Sequence, residues 1–403
     1  MPPTARTLAA GPCNGAGRRV DTEEAPAPPE EALADVVLSP VRPVPGVLPV
    51  SPARLAPYAP APPVPPRSAG RRLLDRLLAR PSVGALLGVL SVGLFFAVQA
   101  PGLLSAGGAA TVVDIAAPLG IGGVAVALLL VAGQFDLSIG VVAVSTSLVT
   151  ALLVTESGLG TWPALVASLA VALLIGAVNG LLVVTTGLPS FLVTLATFLV
   201  LQGASLSLSA AIAGSSRVSG LAGAPGWESA VAVFGSTLQL GDGRFRISLV
   251  WWLVATALTT WLLFRTRFGN AVLGTGGAPR AARELGVPVR RTTVLLFLGT
   301  AAAGWLIGTL GLVRLGGVQV DPALGSEIEF IVVAVIGGCL LTGGYGSTVG
   351  ASLGALVYAI AREGISLAGW DPRWFQAFLG LMLLVALLAN GVVRRRLRAV
   401  PRS

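Results

Sequence analysis

Residues 109–132 read AATVVDIAAPLGIGGVAVALLLVA, and the next eight, 133–140, read GQFDLSIG. As an α-helix the first stretch is about 36 Å long and crosses a hydrocarbon core of roughly 30 Å, with Asp114 as its only charge. The second puts an aspartate between two glycines where the next apolar run begins. A charge at membrane depth costs a few kcal/mol even on mild scales, so Asp136 is expected to face a cavity or a partner. The glycines and Ser138 predict a break in the helix, tolerated only where backbone lines protein or water. A plainer role stays open: Asp136 caps the next helix at an interface by accepting backbone N–H bonds.

Outward from this stretch, apolar runs of about 17 to 25 residues recur from Val83 onward. Their extents are 83–104, 109–132, 139–155, 162–184, 190–212, 247–264, 293–314, 327–342, 348–368 and 374–391. The fold class expected is therefore all-α: a polytopic membrane protein of about ten transmembrane helices. Arg71, Arg72, Arg76 and Arg80 precede the first run, and Arg394, Arg395, Arg396 and Arg398 follow the last. Arg265, Arg267, Arg280, Arg283, Arg290 and Arg291 lie between the sixth and seventh. Positive charge is retained on the cytoplasmic side, and an even number of spans puts all three clusters there, with both termini cytoplasmic.

Composition says the same. The chain of 403 residues is 54% hydrophobic and 11% charged, with mean hydropathy +0.84, where soluble domains carry roughly 25% charged residues. It has no histidine, and all 27 of its basic side chains are arginines. That removes an imidazole base, a His-ligated metal, a lysine Schiff base and a Walker A phosphate loop, which needs its lysine. Cys13 and Cys339 support neither a disulfide framework nor a metal cluster. No metal, cofactor or nucleic-acid partner is expected.

Residues 1–70 hold 17 of the 28 prolines and balance six arginines against six acids, so the whole net charge of +9 falls on residues 71–403. The chain divides accordingly into a disordered, proline- and alanine-rich cytoplasmic tail, 1–70, and a transmembrane domain, 71–403. Glycines fall four apart within the runs at Gly176 and Gly180, Gly304 and Gly308, and Gly350 and Gly354, a spacing that lets helices approach closely in lipid. The stretch 132–140 has a weak echo at 337–346, a hint of duplicated halves.

Two further segments carry chemistry. In the stretch from Asn179 to Thr197, Pro189 opens a helix whose first turns present Ser190, Thr194 and Thr197 on one face. Such hydroxyls can bind a polyhydroxylated solute, or equally can bond their own i−4 carbonyls or a neighbouring helix. In the long arginine-rich loop, Ala281, Ala282, Arg283, Glu284 and Leu285 form a short run of helix formers closed by Gly286 and then Pro288. A stub this stiff suits a docking element. A positive-inside loop needs the arginines but not the capped helix.

These residues resemble the membrane permeases of ribose/xylose-type ABC sugar importers, within the inner-membrane translocator group that also includes branched-chain amino-acid permeases. The resemblance covers roughly residues 85–391. It rests on Gly133 to Gly140, which resembles a Gly-Gly-Ile-Asp-Leu-Ser-Val-Gly segment, on Asn179 to Thr197, on Thr266 to Gly269 with Ala281 to Arg283, and on Glu327 with Ile336 to Ser347. The Asp-Leu-Ser form favours the sugar branch. The chain departs from the pattern at Gln202 and Tyr345, where arginines are usual, at Arg280, where an acid is common, and at Arg362 and Glu363, where asparagines are frequent.

The resemblance implies the transmembrane subunit of an ATP-driven importer for a monosaccharide or related small polyol, not itself an enzyme. Asp136, Ser138, Asn179, Thr194, Thr197 and Gln202 would border the solute pathway, and Ala281 to Gly286 would form the coupling loop. The partners implied are cytoplasmic ATP-binding subunits, an extracytoplasmic solute-binding protein, a second permease chain, identical or homologous, and membrane lipid. The alternatives are an ion-coupled secondary transporter using Asp114 or Asp136, or an ABC permease for a branched-chain amino acid or nucleoside.

Overall fold

The computed structural model of the chain describes residues 81–320 and 326–399. The proline-rich tail expected over 1–70 and the arginines at 71–80 lie outside the described residues.

Every apolar run predicted from the sequence carries a helix. In chain order these are α1 (Pro81–Gln99), α2 (Ala106–Val131), α3 (Ile139–Thr155), α4 (Thr161–Thr186) and α5 (Ser190–Ala213). A short α6 (Trp227–Phe234) precedes α7 (Ser248–Arg265), α8 (Arg267–Gly277) and α9 (Pro279–Glu284). The remainder are α10 (Val289–Leu315), α11 (Ser326–Ile336), α12 (Thr348–Leu367) and α13 (Trp374–Ala399). Among the described residues seven of these, α1, α2, α4, α5, α7, α10 and α13, are long and apolar enough to cross a membrane. The other three runs hold α3 with 17 residues, α11 with 11 and α12 with 20.

Local chemistry sets the ends. Ser105 Oγ accepts the Gly108 N–H at 3.0 Å at the start of α2, and Ser347 Oγ accepts the Gly350 N–H at 3.2 Å at the start of α12. Such caps satisfy donors that a helix leaves orphaned in its first turn. Gly187 closes α4 at φ +70°, and Pro189 then opens α5. The run expected to continue as a helix over 327–342 stops at Ile336, because Gly337-Gly338 breaks it and Gly338 takes φ +91°. Hydropathy alone misses this break, since the loop after it, Cys339-Leu340-Leu341, is itself apolar.

The chain also carries four short strands that an all-α reading does not include. Strand β1 (Arg217–Ser219) pairs antiparallel with β4 (Gly317–Gln319), Val218 opposite Val318. Strands β2 (Thr237–Leu240) and β3 (Gly243–Arg246) form a hairpin. Strand β1 follows α5 and β4 follows α10, so their pairing ties the ends of those two helices together, and the hairpin sits over the start of α2, where a Cβ on Gly243 would strike Ala106. The opposite end gathers the α2–α3, α4–α5, α7–α10 and α11–α12 connections.

Helix α2 occupies the centre, with Ala116, Ile121, Val124, Leu129 and Leu130 buried. The predicted glycine pairs lie at helix crossings. A Cβ on Gly176 would come within 2.6 Å of the Phe297 oxygen and one on Gly180 within 2.9 Å of Val294 Cα, so α4 and α10 touch backbone to backbone. Gly304 and Gly308 do the same for α10 against α3. Close approach of this kind replaces the hydrophobic drive that lipid cannot supply between helices. The periphery is apolar and open, with Leu94 at 70% and Val98 at 72% exposed on α1, the outward face that hydrocarbon covers.

Candidate functional site

Seven residues without helical structure, Ala132 to Ser138, join α2 to α3, and side chains of three other helices, α4, α5 and α10, hold them. Asp136 is 2% exposed, and both of its carboxylate oxygens are occupied. Oδ1 accepts the Ser138 N–H at 2.7 Å and the Ser138 hydroxyl at 2.6 Å, while Oδ2 accepts the Thr300 hydroxyl of α10 at 2.6 Å. Hydrogen bonds to an ionised group are short and strong, and three of them compensate part of the cost of burying a carboxylate. Asn179 of α4, 1% exposed, donates from Nδ2 to Ser138 Oγ at 3.0 Å and accepts at Oδ1 from the Thr197 hydroxyl of α5 at 2.6 Å.

The first turn of α5 secures the other side. Ser190 Oγ accepts the Phe135 N–H at 2.9 Å, and Thr194 Oγ1 accepts the Leu137 N–H at 3.1 Å. Thr194 also donates back to the Ser190 carbonyl at 3.0 Å, so it makes the i−4 bond considered from sequence and holds the neighbouring segment as well. The geometry thus joins Asp136, Ser138, Asn179 and Thr197 in one chain of hydrogen bonds, with Thr194 on the same segment. Gln202 lies five residues beyond Thr197 on α5 and is half-buried. Thr197 also lines an open apolar groove between α4 and α5, together with Leu174, Val178, Leu182 and Ala196.

Thr300 is the member that sequence reasoning missed. It lies 164 positions from Asp136 within an apolar run, and nothing local marks it. Asp136 does not cap α3, the plainer role read from sequence: Ser138 stands at the cap position without a side-chain cap bond, and Asp136 accepts only the amide of Ser138, two residues on, as in a local turn.

The two stretches that echo one another in sequence meet in space. Gly344 N–H donates to the Val131 carbonyl at 2.8 Å, and a Cβ on Gly343 would come within 2.9 Å of both Gly133 Cα and the Gly276 oxygen. A Cβ on Gly276 would overlap the Val131 oxygen. Three backbones, at the ends of α2, α8 and the 337–347 loop, meet with no room for a side chain.

From this joint α8 leads into the stub α9. Gly286 ends the turn at φ +81°, Val287 N–H donates to the Ala282 carbonyl at 2.9 Å, and α10 begins at Val289. Ala282 is buried toward α8, where a Cβ on Gly274 would meet its methyl at 3.6 Å. The outward face is Ala281, Arg283, Glu284, Leu285 and Gly286, with Leu285 84% exposed.

At the far end Asp114 forms ion pairs with Arg246 at 3.1 Å and Arg314 at 3.2 Å, tying α2 to β3 and α10. Near α13, Arg362 lies over the Phe375 ring at 5.9 Å, and the Tyr358 hydroxyl donates to Glu329 at 2.6 Å.

Comparison with known proteins accords with this architecture. The family model described as branched-chain amino acid transport system / permease component matches residues 108–387. The fructose import permease protein FrcC of Rhizobium meliloti is 31% identical over 285 residues, 69% of this chain and 76% of that protein. The probable ABC transporter permease protein YphD of Escherichia coli is 31% identical over 325 residues, 78% and 90% of the two chains. The xylose/arabinose import permease protein XylH of Sulfolobus acidocaldarius is 27% identical over 313 residues, 75% and 83%. No solved structure matches significantly. With a family match that covers the helices from α2 to α13, those two in part, together with the broken segment and the stub, this chain is a multi-pass membrane protein that belongs to the branched-chain amino acid transport system / permease component family.

Proposed function

We propose that the chain is the transmembrane subunit of an ATP-binding cassette importer that moves a monosaccharide or related small polyol across the cytoplasmic membrane. The observation that carries this reading is the match of 280 residues, 108–387, to a permease family, together with relatives named as fructose and xylose/arabinose import permeases. ATP hydrolysis belongs to separate cytoplasmic subunits, and a solute-binding protein delivers the sugar from outside. A second permease chain, identical or homologous, completes the pathway.

In this reading the ten runs make up the membrane domain, the eighth as the 11-residue α11 with the loop that follows it, and both termini are cytoplasmic. The tail 1–70 then lies in the cytoplasm and the permease domain begins at 71. Asp136, Ser138, Asn179, Thr194, Thr197 and Gln202 border the route of the solute, and Thr197, at once on the network and on the α4–α5 groove, supports that assignment. The stub from Ala281 to Gly286 docks on the ATP-binding subunit. Energy released by two soluble subunits must enter the membrane through something cytoplasmic, short and rigid. An ion-coupled carrier is disfavoured because Asp114 is paired with two arginines and two of the relatives named above are sugar import permeases.

The test is direct. Genes for an ATPase and a solute-binding protein should neighbour this one, and the purified binding protein should bind D-fructose, D-xylose or D-ribose in calorimetry. A gene with neither neighbour, or a binding protein that takes branched-chain amino acids instead, would sink the sugar reading.

A further inference from the structure

The segment Gly133 to Ser138 is suspended between two bodies. On one side, Ser190 and Thr194 at the start of α5 accept the amides of Phe135 and Leu137. On the other, Asp136 reaches Thr300 of α10. Helix α10 is a continuous 27-residue rod that begins at Val289, two residues beyond the stub's last backbone bond, from Val287 N–H to the Ala282 carbonyl. Thr300 lies 11 residues along it, about 16 Å at 1.5 Å per residue. The rod is packed backbone to backbone on α4 through Gly176 and Gly180 and on α3 through Gly304 and Gly308, so α10, α3 and α4 form one closely packed unit. The bond from Thr300 to Asp136 is the rod's own direct side-chain link to a segment that α3 also holds through the chain and α4 through Asn179.

We propose that Thr300 is a positioning residue for transport: its hydroxyl fastens the Asp136 segment to the helix that the stub drives, so that the segment moves in step with ATP hydrolysis. The chemistry is specific to the hydroxyl. Thr300 Oγ1 has one proton and two acceptors in reach, Asp136 Oδ2 at 2.6 Å and the Phe297 carbonyl at 3.0 Å. The contact to Asp136 Oδ2 is the shorter of the two, 2.6 Å against 3.0 Å, and takes the proton. Valine matches threonine in shape and keeps the packing on α4, but cannot donate. Serine keeps the donor and loses only a methyl group.

This proposal rests on the ATP-driven reading given above. Its test uses permease assembled with its ATP-binding subunits in proteoliposomes, with the solute-binding protein and radiolabelled D-fructose and D-xylose as probes. Sugar moved and phosphate released are measured together. For Thr300→Val, assembly and hydrolysis should persist while sugar moved per ATP falls by roughly ten-fold, the scale of one hydrogen bond to a charged group. Thr300→Ser should return the ratio to near the wild-type value. A wild-type ratio in Thr300→Val, or an equal loss in Thr300→Ser, would overturn the proposal. Failure of Thr300→Val to assemble, while Thr300→Ser assembles, would overturn it too, because the hydroxyl would then serve the fold and not the coupling. If the wild-type complex itself shows no ATP-driven uptake of either sugar, the transport reading fails first, a result separable from the comparison of variants.

Discussion

Asp136 touches only hydroxyls and an amide, and no arginine pairs with it among the described residues. An asparagine there can keep the same geometry. Its Oδ1 faces the two Ser138 donors, its Nδ2 faces Thr300, and Thr300 turns its proton to the Phe297 carbonyl. Asp136→Asn therefore removes the charge and leaves the fold. If that charge borders the solute pathway, uptake falls by roughly ten-fold or more while the amount of inserted protein is unchanged. Thr194→Val leaves the Leu137 N–H without its acceptor, and a lost bond to a buried polar group costs about 1 to 3 kcal/mol, so uptake should fall there also. Uptake measured beside immunoblots of the membrane fraction checks both. Wild-type uptake in both variants would reduce the network to a structural fastening. The sequence marks Asp136, Thr194 and Thr197 through residue type and local spacing. Their partner Thr300 is invisible to it, because that bond is made by the packing of α10 on α4 and not by any local pattern.

The helices were legible because lipid-crossing runs announce themselves by length and hydropathy, and the stub because Gly286 closes the helix formers Ala281 to Leu285, although the helix itself begins two residues earlier, at Pro279, and ends at Glu284. The strands were not, since β1 finds its partner a hundred positions away and each is only three or four residues long. Nor did the sequence separate the two faces of the stub. Ala282 packs inward, which leaves Leu285 as the large apolar group a partner would cover. Leu285→Asp should abolish co-purification of the ATP-binding subunit while the permease still inserts. In Gly286→Val no neighbour blocks the new side chain, yet a β-branched residue is held at φ +81°, a conformation that costs roughly 1–2 kcal/mol. That variant should insert and assemble more weakly, with reduced solute-stimulated hydrolysis. Normal co-purification in Leu285→Asp would make the loop a charged tether only. The joint beside it yields a sharper pair. Gly276→Ala drives a methyl into the Val131 carbonyl, whereas Gly277→Ala points into open space. Detergent-extracted Gly276→Ala should melt at a clearly lower temperature than wild type and Gly277→Ala close to it. Equal melting would mean that the three backbones are not in contact.

At the level of the whole chain, a membrane bundle without lysine or histidine has no phosphate loop and no imidazole relay, so its work must be powered from elsewhere. Its sequence belongs to a permease family, its broken segment and stub are joined by one continuous helix, and among the described residues Asp114 is ion-paired and Asp136 hydrogen-bonded. These facts converge on external ATP as the energy source. The decisive measurement is uptake into proteoliposomes that contain the permease, its ATP-binding subunits and its solute-binding protein, with ATP held constant while proton and sodium gradients are collapsed by ionophores. Uptake should continue undiminished and stop when ATP is withdrawn. Uptake that vanishes with the gradients while ATP remains would contradict the account.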